Sequence, residues 1–278
     1  MPELPEVETI CRGLVPHLVG RRLVRVEARR RDLRFALPAD FALRLEGRRV
    51  GPIARRGKYG LVHLDGGDVL VFHLGMSGRL RIAATGSDGA RAGTHDHVRF
   101  ETDAGETILF HDPRRFGMLD LAPADGLAEH PWLRHLGPEP LAAGFGGALL
   151  ARRLAGRARN LKAALMDQRI VAGLGNIYAC EALYEARLSP RRRAAGLGAG
   201  RCERLAQAIV AVLRRAIAAG GSSLRDYAQV DGALGYFQTG FKVYDREGVA
   251  CAAPGCGRPV QRIVQAGRAT FYCGGCQR

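Results

Sequence analysis

The most specifically spaced residues in the sequence are its last four cysteines. Four residues separate Cys251 from Cys256, two separate Cys273 from Cys276, and sixteen lie between the pairs. Two thiol knuckles joined by the length of a β-hairpin supply the four soft ligands of a tetrahedral zinc ion. One Zn2+ per chain would be structural here, since all four positions are protein ligands and none is left for water. The alternative, two disulfides, requires an oxidising compartment that nothing else in the sequence indicates. Cys11, Cys180 and Cys202 stand on helix-like stretches and read as buried thiols of a reducing compartment. Between the knuckles, RPVQRIVQAGRATFY places Arg268 at the expected turn, either as a solvated residue or as a grip on a phosphate.

A second chemical question comes from the opening stretch, MPELPEVETI. Chain starts usually fray. Here Pro2 is followed by Glu3, Glu6 and Glu8, and Val7, Ile10, Cys11, Leu14 and Leu18 then recur at a spacing that predicts a helix over 3–18. A third feature is GLGNIYACEAL, where a helical run begins at Asn176 directly after Gly-x-Gly. A helix start of this kind points backbone N–H groups at an anion, with Asn176 as a good cap. A plain helical hairpin with a glycine turn explains the same stretch equally well.

Composition bounds what these residues can serve. The chain has 278 residues, with 42 basic against 27 acidic side chains, a net charge of +15 and a pI near 10.3. Such an excess points to a polyanionic partner, nucleic acid first. Nearly every basic position is Arg. Lys occurs only at 58, 162 and 242, so a position that stays Lys could be one where losing a proton matters. No apolar run is long enough to span a bilayer, and three acids stand where a secretory signal would be basic and then apolar. A soluble, cytoplasmic protein is expected.

The elements that must position these groups change along the chain. After the first helix, residues 21–122 hold short alternating stretches such as LVRVEA, GLVHL, DVLVFHL, HVRFE, TILFH and GMLDLA, broken by glycine turns. They predict an antiparallel β-sandwich, with a flexible insertion over 83–97. After PADGLAEHPWLRHLGPEPL (123–141) the pattern is helical through 219, and a Gly-rich, polar stretch over 219–240 predicts a mobile loop. The fold class is therefore α+β. Domains are expected over 1–125 (leading helix and β-sandwich), 126–240 (helical, including the loop) and 241–278 (cysteine hairpin).

Four segments together carry a resemblance. PELPEVET, HLGMSG at 73–78, DPRRFG at 112–117 and GLGNIYACEAL at 173–183 are similar to the bacterial formamidopyrimidine-DNA glycosylases, and the terminal cysteine hairpin fits as well. The match runs from Pro2 to the end, in the family's order. The resemblance implies a β-sandwich domain, a helix-two-turn-helix domain with a zinc finger, and a monomer that binds damaged double-stranded DNA. It implies excision of 8-oxoguanine and formamidopyrimidines, followed by cleavage of the strand.

Under this resemblance Pro2 is the nucleophile. With Met1 removed it would carry a free α-amine, a group that titrates near 7.7–8.0, roughly, in model peptides and so is partly neutral at working pH. Glu3 is then the proton donor and shuttle, Glu6 supports the pocket, and Lys58 in RRGKYG acts near the scissile phosphate. Arg268 matches a phosphate-binding residue of the elimination step. Met76, Arg114 and Phe116 fill the gap left by the extruded base, and Arg114 also bonds the orphaned cytosine. His95 and Asn176 are DNA contacts. In GRARNLK, Arg157 and Arg159 both stand near a basic contact position, and either could fill it. Two rivals remain: an endonuclease VIII-like glycosylase for oxidised pyrimidines, and a non-catalytic DNA-binding relative.

Overall fold

The computed structural model describes residues 1–223 and 227–278; 224–226, part of the loop expected over 219–240, lie outside the described residues. Packing divides the chain into two compact units, 1–134 with 219–236, and 135–218 with 237–278. These limits differ from the boundaries at 125 and 240 read from the pattern, and the reason lies in the loop. Val230 and Tyr227 belong to the core of the first unit, and Ile82 donates its N–H to the Val230 carbonyl at 3.2 Å. A Cβ on Gly13 would lie 2.8 Å from Val230. The described part of the loop is therefore anchored, which its glycine-rich composition conceals.

The first unit opens with α1 (Leu4–Leu18). Pro5 sits in its first turn, where a missing N–H costs nothing, and Leu4, Val7, Ile10, Cys11, Leu14 and Leu18 form its buried stripe. Next come β1 (Leu23–Ala28), the short α2 (Phe41–Leu45), β2 (Val50–Arg56), β3 (Tyr59–Leu64) and β4 (Asp68–His73). β5 (Arg79–Ala84), β6 (Asp96–Thr102), β7 (Glu106–His111) and β8 (Met118–Pro123) complete the unit's strands. They form two antiparallel four-stranded sheets, ordered β1-β6-β7-β5 and β2-β3-β4-β8. One core joins them: Val62, Phe72 and Leu121 from one sheet, Val98, Phe100 and Phe110 from the other, and Ile10 and Leu14 from α1. This is the expected sandwich.

Two strands depart from the simple alternating pattern. VGPIARR contains Pro52, which a central strand would exclude. β2 is an edge strand whose pairing slips between Val50 and Ile53, so the lost N–H is tolerated. The insertion expected over 83–97 is shorter than the pattern suggests. Ala83 and Ala84 complete β5, a 3-10 turn covers Asp88–Ala90, and Asp96 and His97 open β6. Asp96 folds this polar stretch inward. Its carboxylate is 2% exposed and accepts hydrogen bonds from Gly93 N–H at 2.7 Å, His111 at 2.9 Å and Arg81 at 2.9 Å.

The second unit contains α3 (Gly147–Leu154), α4 (Leu161–Leu165), α5 (Asn176–Glu185), α6 (Ala199–Ala218) and the hairpin β9 (Gln261–Gln265) and β10 (Arg268–Tyr272). α5 holds the hairpin. Glu181, buried, accepts the N–H groups of Lys242, Val243 and Tyr244 at 2.8–3.2 Å, and Cys180, Val243, Val260 and Phe271 form a small core beside it.

Candidate active site and metal centre

At the head of α1, Pro2 is buried while Met1, which acylates its nitrogen, is 50% exposed. Glu3 and Glu6 are both buried. One oxygen of Glu6 accepts the Glu3 N–H at 2.8 Å, the return half of a capping box, and the other accepts the Ser222 N–H at 2.8 Å. The carboxylate thus ties the chain start to a residue far along the sequence. Gly221 makes the approach possible. Its φ is +83°, and a Cβ there would lie 3.0 Å from the Glu6 carboxylate. Tyr227 donates to the Gly220 carbonyl at 3.1 Å, and burial, then the Glu6 charge, push its phenol up.

Lys58 is buried in the two-residue turn between β2 and β3, which Gly57 enters at φ +58°. Arg55 places this turn against α1, donating to Glu8 at 3.0 Å and to the Gly57 carbonyl at 2.9 Å. Burial pushes the Glu8 carboxyl up, but hydrogen bonds from Arg55 and Arg12 outweigh it and the group ends lowered. Across the β3–β4 ladder, Tyr59 pairs with His73. Burial, followed by the charges of Lys58 and Arg34, holds His73 down to about 4, and its neutral Nδ1 accepts the Gly75 N–H at 3.0 Å.

Met76, Arg114 and Phe116 stand on two facing loops. A Cβ on Gly75 would meet the Phe116 backbone at 2.3 Å, so the loops touch main chain to main chain. Phe116 is 41% exposed, with the Arg114 guanidinium 4.8 Å from its ring centroid. His95 is exposed beside them, its carbonyl accepting the Asp112 N–H at 2.9 Å and its ring edge-on to His111 at 5.9 Å.

The remaining predicted residues lie in the second unit. Asn176 does not cap α5: the N-cap is Gly175, and Asn176 is the first helical residue. Its side chain instead donates to the Ala269 carbonyl at 3.0 Å, which joins the helix start to β10 next to Arg268. Asn160 is the residue that caps a helix, accepting the Ala163 N–H at 2.8 Å at the start of α4. Ala266 and Gly267, at φ +48° and +71°, make the hairpin turn, so exposed Arg268 opens β10 rather than standing at the tip. Arg157 and Arg159 are exposed on a segment paired with 192–195, and Asp167 engages Arg159 at 3.5 Å.

The sulfurs of Cys251, Cys256, Cys273 and Cys276 lie within 4.8 Å of one another, and none forms a disulfide. Four convergent thiols can hold a metal ion. The Tyr184 hydroxyl, on α5, lies 3.2 Å from the Cys251 sulfur.

Residues 1–119 match the model of the formamidopyrimidine-DNA glycosylase N-terminal domain, and 136–228 match that of the formamidopyrimidine-DNA glycosylase H2TH domain. The chain belongs to the formamidopyrimidine-DNA glycosylase family. Relatives of that name from Azorhizobium caulinodans and Afipia carboxidovorans are 57% and 54% identical over the full length of both chains. Among solved structures, the MutM (Fpg) protein of Thermus thermophilus aligns at a TM-score of 0.86 and 45% identity, over 99% of this chain and 98% of its own. A Lactococcus lactis Fpg mutant in complex with Fapy-dG-containing DNA aligns at 0.90 and 32% identity, over all of both chains. Membership explains why the quoted motifs recur together. Several supporting residues, however, reveal their role only in the fold. Arg55 and Glu8 look like ordinary charges in an arginine-rich chain, and Ser222 sits in a glycine-rich stretch. Asp112, the first residue of DPRRFG, reads in sequence only as the residue before a proline.

Proposed function

We propose that this protein is a bifunctional DNA glycosylase and abasic-site lyase of base excision repair, acting on oxidised purines in double-stranded DNA through Pro2. The observation that carries the reading is the chain start: a buried proline, followed by two buried carboxylates, at the head of a helix. The solved Lactococcus lactis relatives hold Fapy-dG or abasic-site DNA, which supports the same class of partner here.

With Met1 removed, the Pro2 amine attacks C1′ of the extruded nucleotide. The glycosidic bond breaks, the base leaves, and the opened sugar is held as an iminium. Glu3 supplies and shuttles the proton that opens the ring. The iminium acidifies the C2′ proton, whose loss expels the 3′ phosphate; the second elimination then expels the 5′ phosphate, and water hydrolyses the remaining iminium to release the unsaturated aldehyde and the free Pro2 amine. Lys58 and Arg268 act at the phosphates, with His95, Asn176 and Arg157 or Arg159 as further backbone contacts. Met76, Arg114 and Phe116 occupy the space the base vacates. The metal would be zinc, a reading supported by the Cys256–Cys273 and Cys251–Cys276 sulfurs at 3.5 and 3.8 Å, against about 3.8 Å between thiolates around a tetrahedral zinc. Its role is to hold the β9–β10 hairpin. The protein acts as a cytoplasmic monomer.

Borohydride trapping with duplexes carrying 8-oxoguanine opposite cytosine tests the nucleophile. Protein lacking Met1 is expected to form a covalent adduct, and Met1-retaining protein and Pro2→Ala are expected to form none. An adduct that survives Pro2→Ala, with N-terminal Met removal controlled, would overturn the assignment. Faster cutting of thymine glycol opposite adenine would move the enzyme to the oxidised-pyrimidine class.

A further inference from the structure

Asp112 is fully buried, yet it has no role in the chemistry described above. Its carboxylate accepts the Ser77 hydroxyl at 2.6 Å on one oxygen and the Gly117 N–H at 2.7 Å on the other. Ser77 follows Met76, and Gly117 follows Phe116. The Ser77 oxygen in turn accepts the Arg114 N–H at 3.3 Å. His97 Nε2 lies 2.8 Å from the Asp112 carbonyl, and Arg115 donates its N–H to the same carbonyl at 3.2 Å. Each of the three wedge side chains is thus within one residue of a backbone or hydroxyl group fixed by Asp112.

The surrounding backbone leaves little freedom for any other arrangement. Arg115, a non-glycine residue, sits in the left-handed region at φ +54°. A Cβ on Gly117 would lie 2.6 Å from Phe110 and 2.9 Å from the Asp112 carboxylate, and one on Gly78 would lie 2.3 Å from the Leu74 carbonyl. Such a strained, closely apposed pair of loops persists only if something over-determines it. A short charge-assisted bond from a hydroxyl to a buried carboxylate is a strong candidate for that role.

We propose that the buried Asp112–Ser77 pair is a positioning device that locks the two wedge loops together and so sets how Met76, Arg114 and Phe116 enter the duplex. It touches neither DNA nor the reacting atoms. The inference rests on the proposed glycosylase reading, in which those three side chains fill the gap left by the base. A lock of this kind matters only where a base stack must be opened and held open. A single-stranded abasic site offers no stack to replace, so chemistry there does not need the wedge.

The test compares Ser77→Ala and Asp112→Asn with the unaltered chain, all lacking Met1. Single-turnover excision of 8-oxoguanine from a duplex is read beside borohydride trapping at an abasic site in single-stranded DNA. A 2-aminopurine next to the lesion reports opening of the stack. Both variants are expected to lose about tenfold or more in duplex excision, the order of effect that follows misplacement of a group by about an ångström. The 2-aminopurine signal should fall with it, and single-strand trapping should stay within about twofold. Ser77→Ala, which removes only a hydroxyl, keeps the test valid if Asp112→Asn folds poorly. Equal losses on both substrates, or no loss on the duplex, overturn the proposal. If the unaltered chain itself neither excises nor traps, the glycosylase reading fails instead.

Discussion

In the second unit, the four thiols of the metal centre come from one stretch, 251–276, and the spacing of the ligands is nearly the whole description of the site. The first unit gathers its site from across the sequence. Glu6 on α1 is answered by Ser222, Arg55 joins Glu8 to the Lys58 turn, and Asp112 reaches Ser77. A local site can be stabilised by one ion. A distributed site depends on many buried polar contacts, each of which must be satisfied. The two should therefore fail in different ways.

The largest expected effect, on the proposed zinc reading, comes from removing the metal. A structural zinc site contributes on the order of 10 kcal/mol to the fold around it, so chelation should release the β9–β10 hairpin and expose its four thiols to a thiol reagent. Trp132, the sole tryptophan, stacks with Phe35 and Tyr59 at 5.7 and 6.3 Å in the first unit. Its emission should hold steady while the thiols react. A parallel change in both signals would mean the two units do not fail separately.

Glu6→Gln is a smaller perturbation of the distributed site. The amide keeps one acceptor oxygen and turns an N–H2 toward a backbone N–H, which costs about 2–3 kcal/mol for a buried, charge-assisted pair. Denaturant unfolding followed by Trp132 should show that loss, and Glu6→Ala a larger one. No change would mean that the Glu3 and Ser222 amides are satisfied in some other way.

The smallest effect is a pH dependence. His73, held to about 4 against an ordinary 6.5, stays neutral in the folded chain while the unfolded imidazole takes up a proton. Stability is therefore full above 6.5 and falls as the pH drops from 6.5 toward 4. His73→Gln should flatten that part of the pH–stability curve. A curve of unchanged slope would remove His73 from the account.

The same contrast explains what could be read from the sequence. The metal centre, α1 and six of the strands are legible because ligand spacing and apolar periodicity are local signals. Pro52 hid β2, since its tolerance depends on an edge position that only the assembled sheet reveals. Asp96 hid the start of β6, because a charged residue reads as solvated until its three partners are brought to it. The loop over 219–240 reads as mobile because glycine is over-represented there, whereas Gly221 is needed for close approach to Glu6 and Val230 packs against α1. Asn176 illustrates the opposite error. It is a good N-cap by type, but Gly175 takes that place and the amide is used to bind β10.

The scarcity of lysine has a practical consequence once burial is known. Of the three lysines, Lys58 and Lys162 are 5% and 0% exposed, which leaves Lys242 as the one lysine amine on the surface. Most proteins present aldehydes with a crowd of ε-amines, and hydride reduction then records accidental encounters as well as chemistry. This surface is almost silent toward such reagents. Reductive methylation followed by mass spectrometry would count two accessible amines at most, Lys242 and the chain terminus. The state of that terminus in each preparation could then be read directly from intact mass.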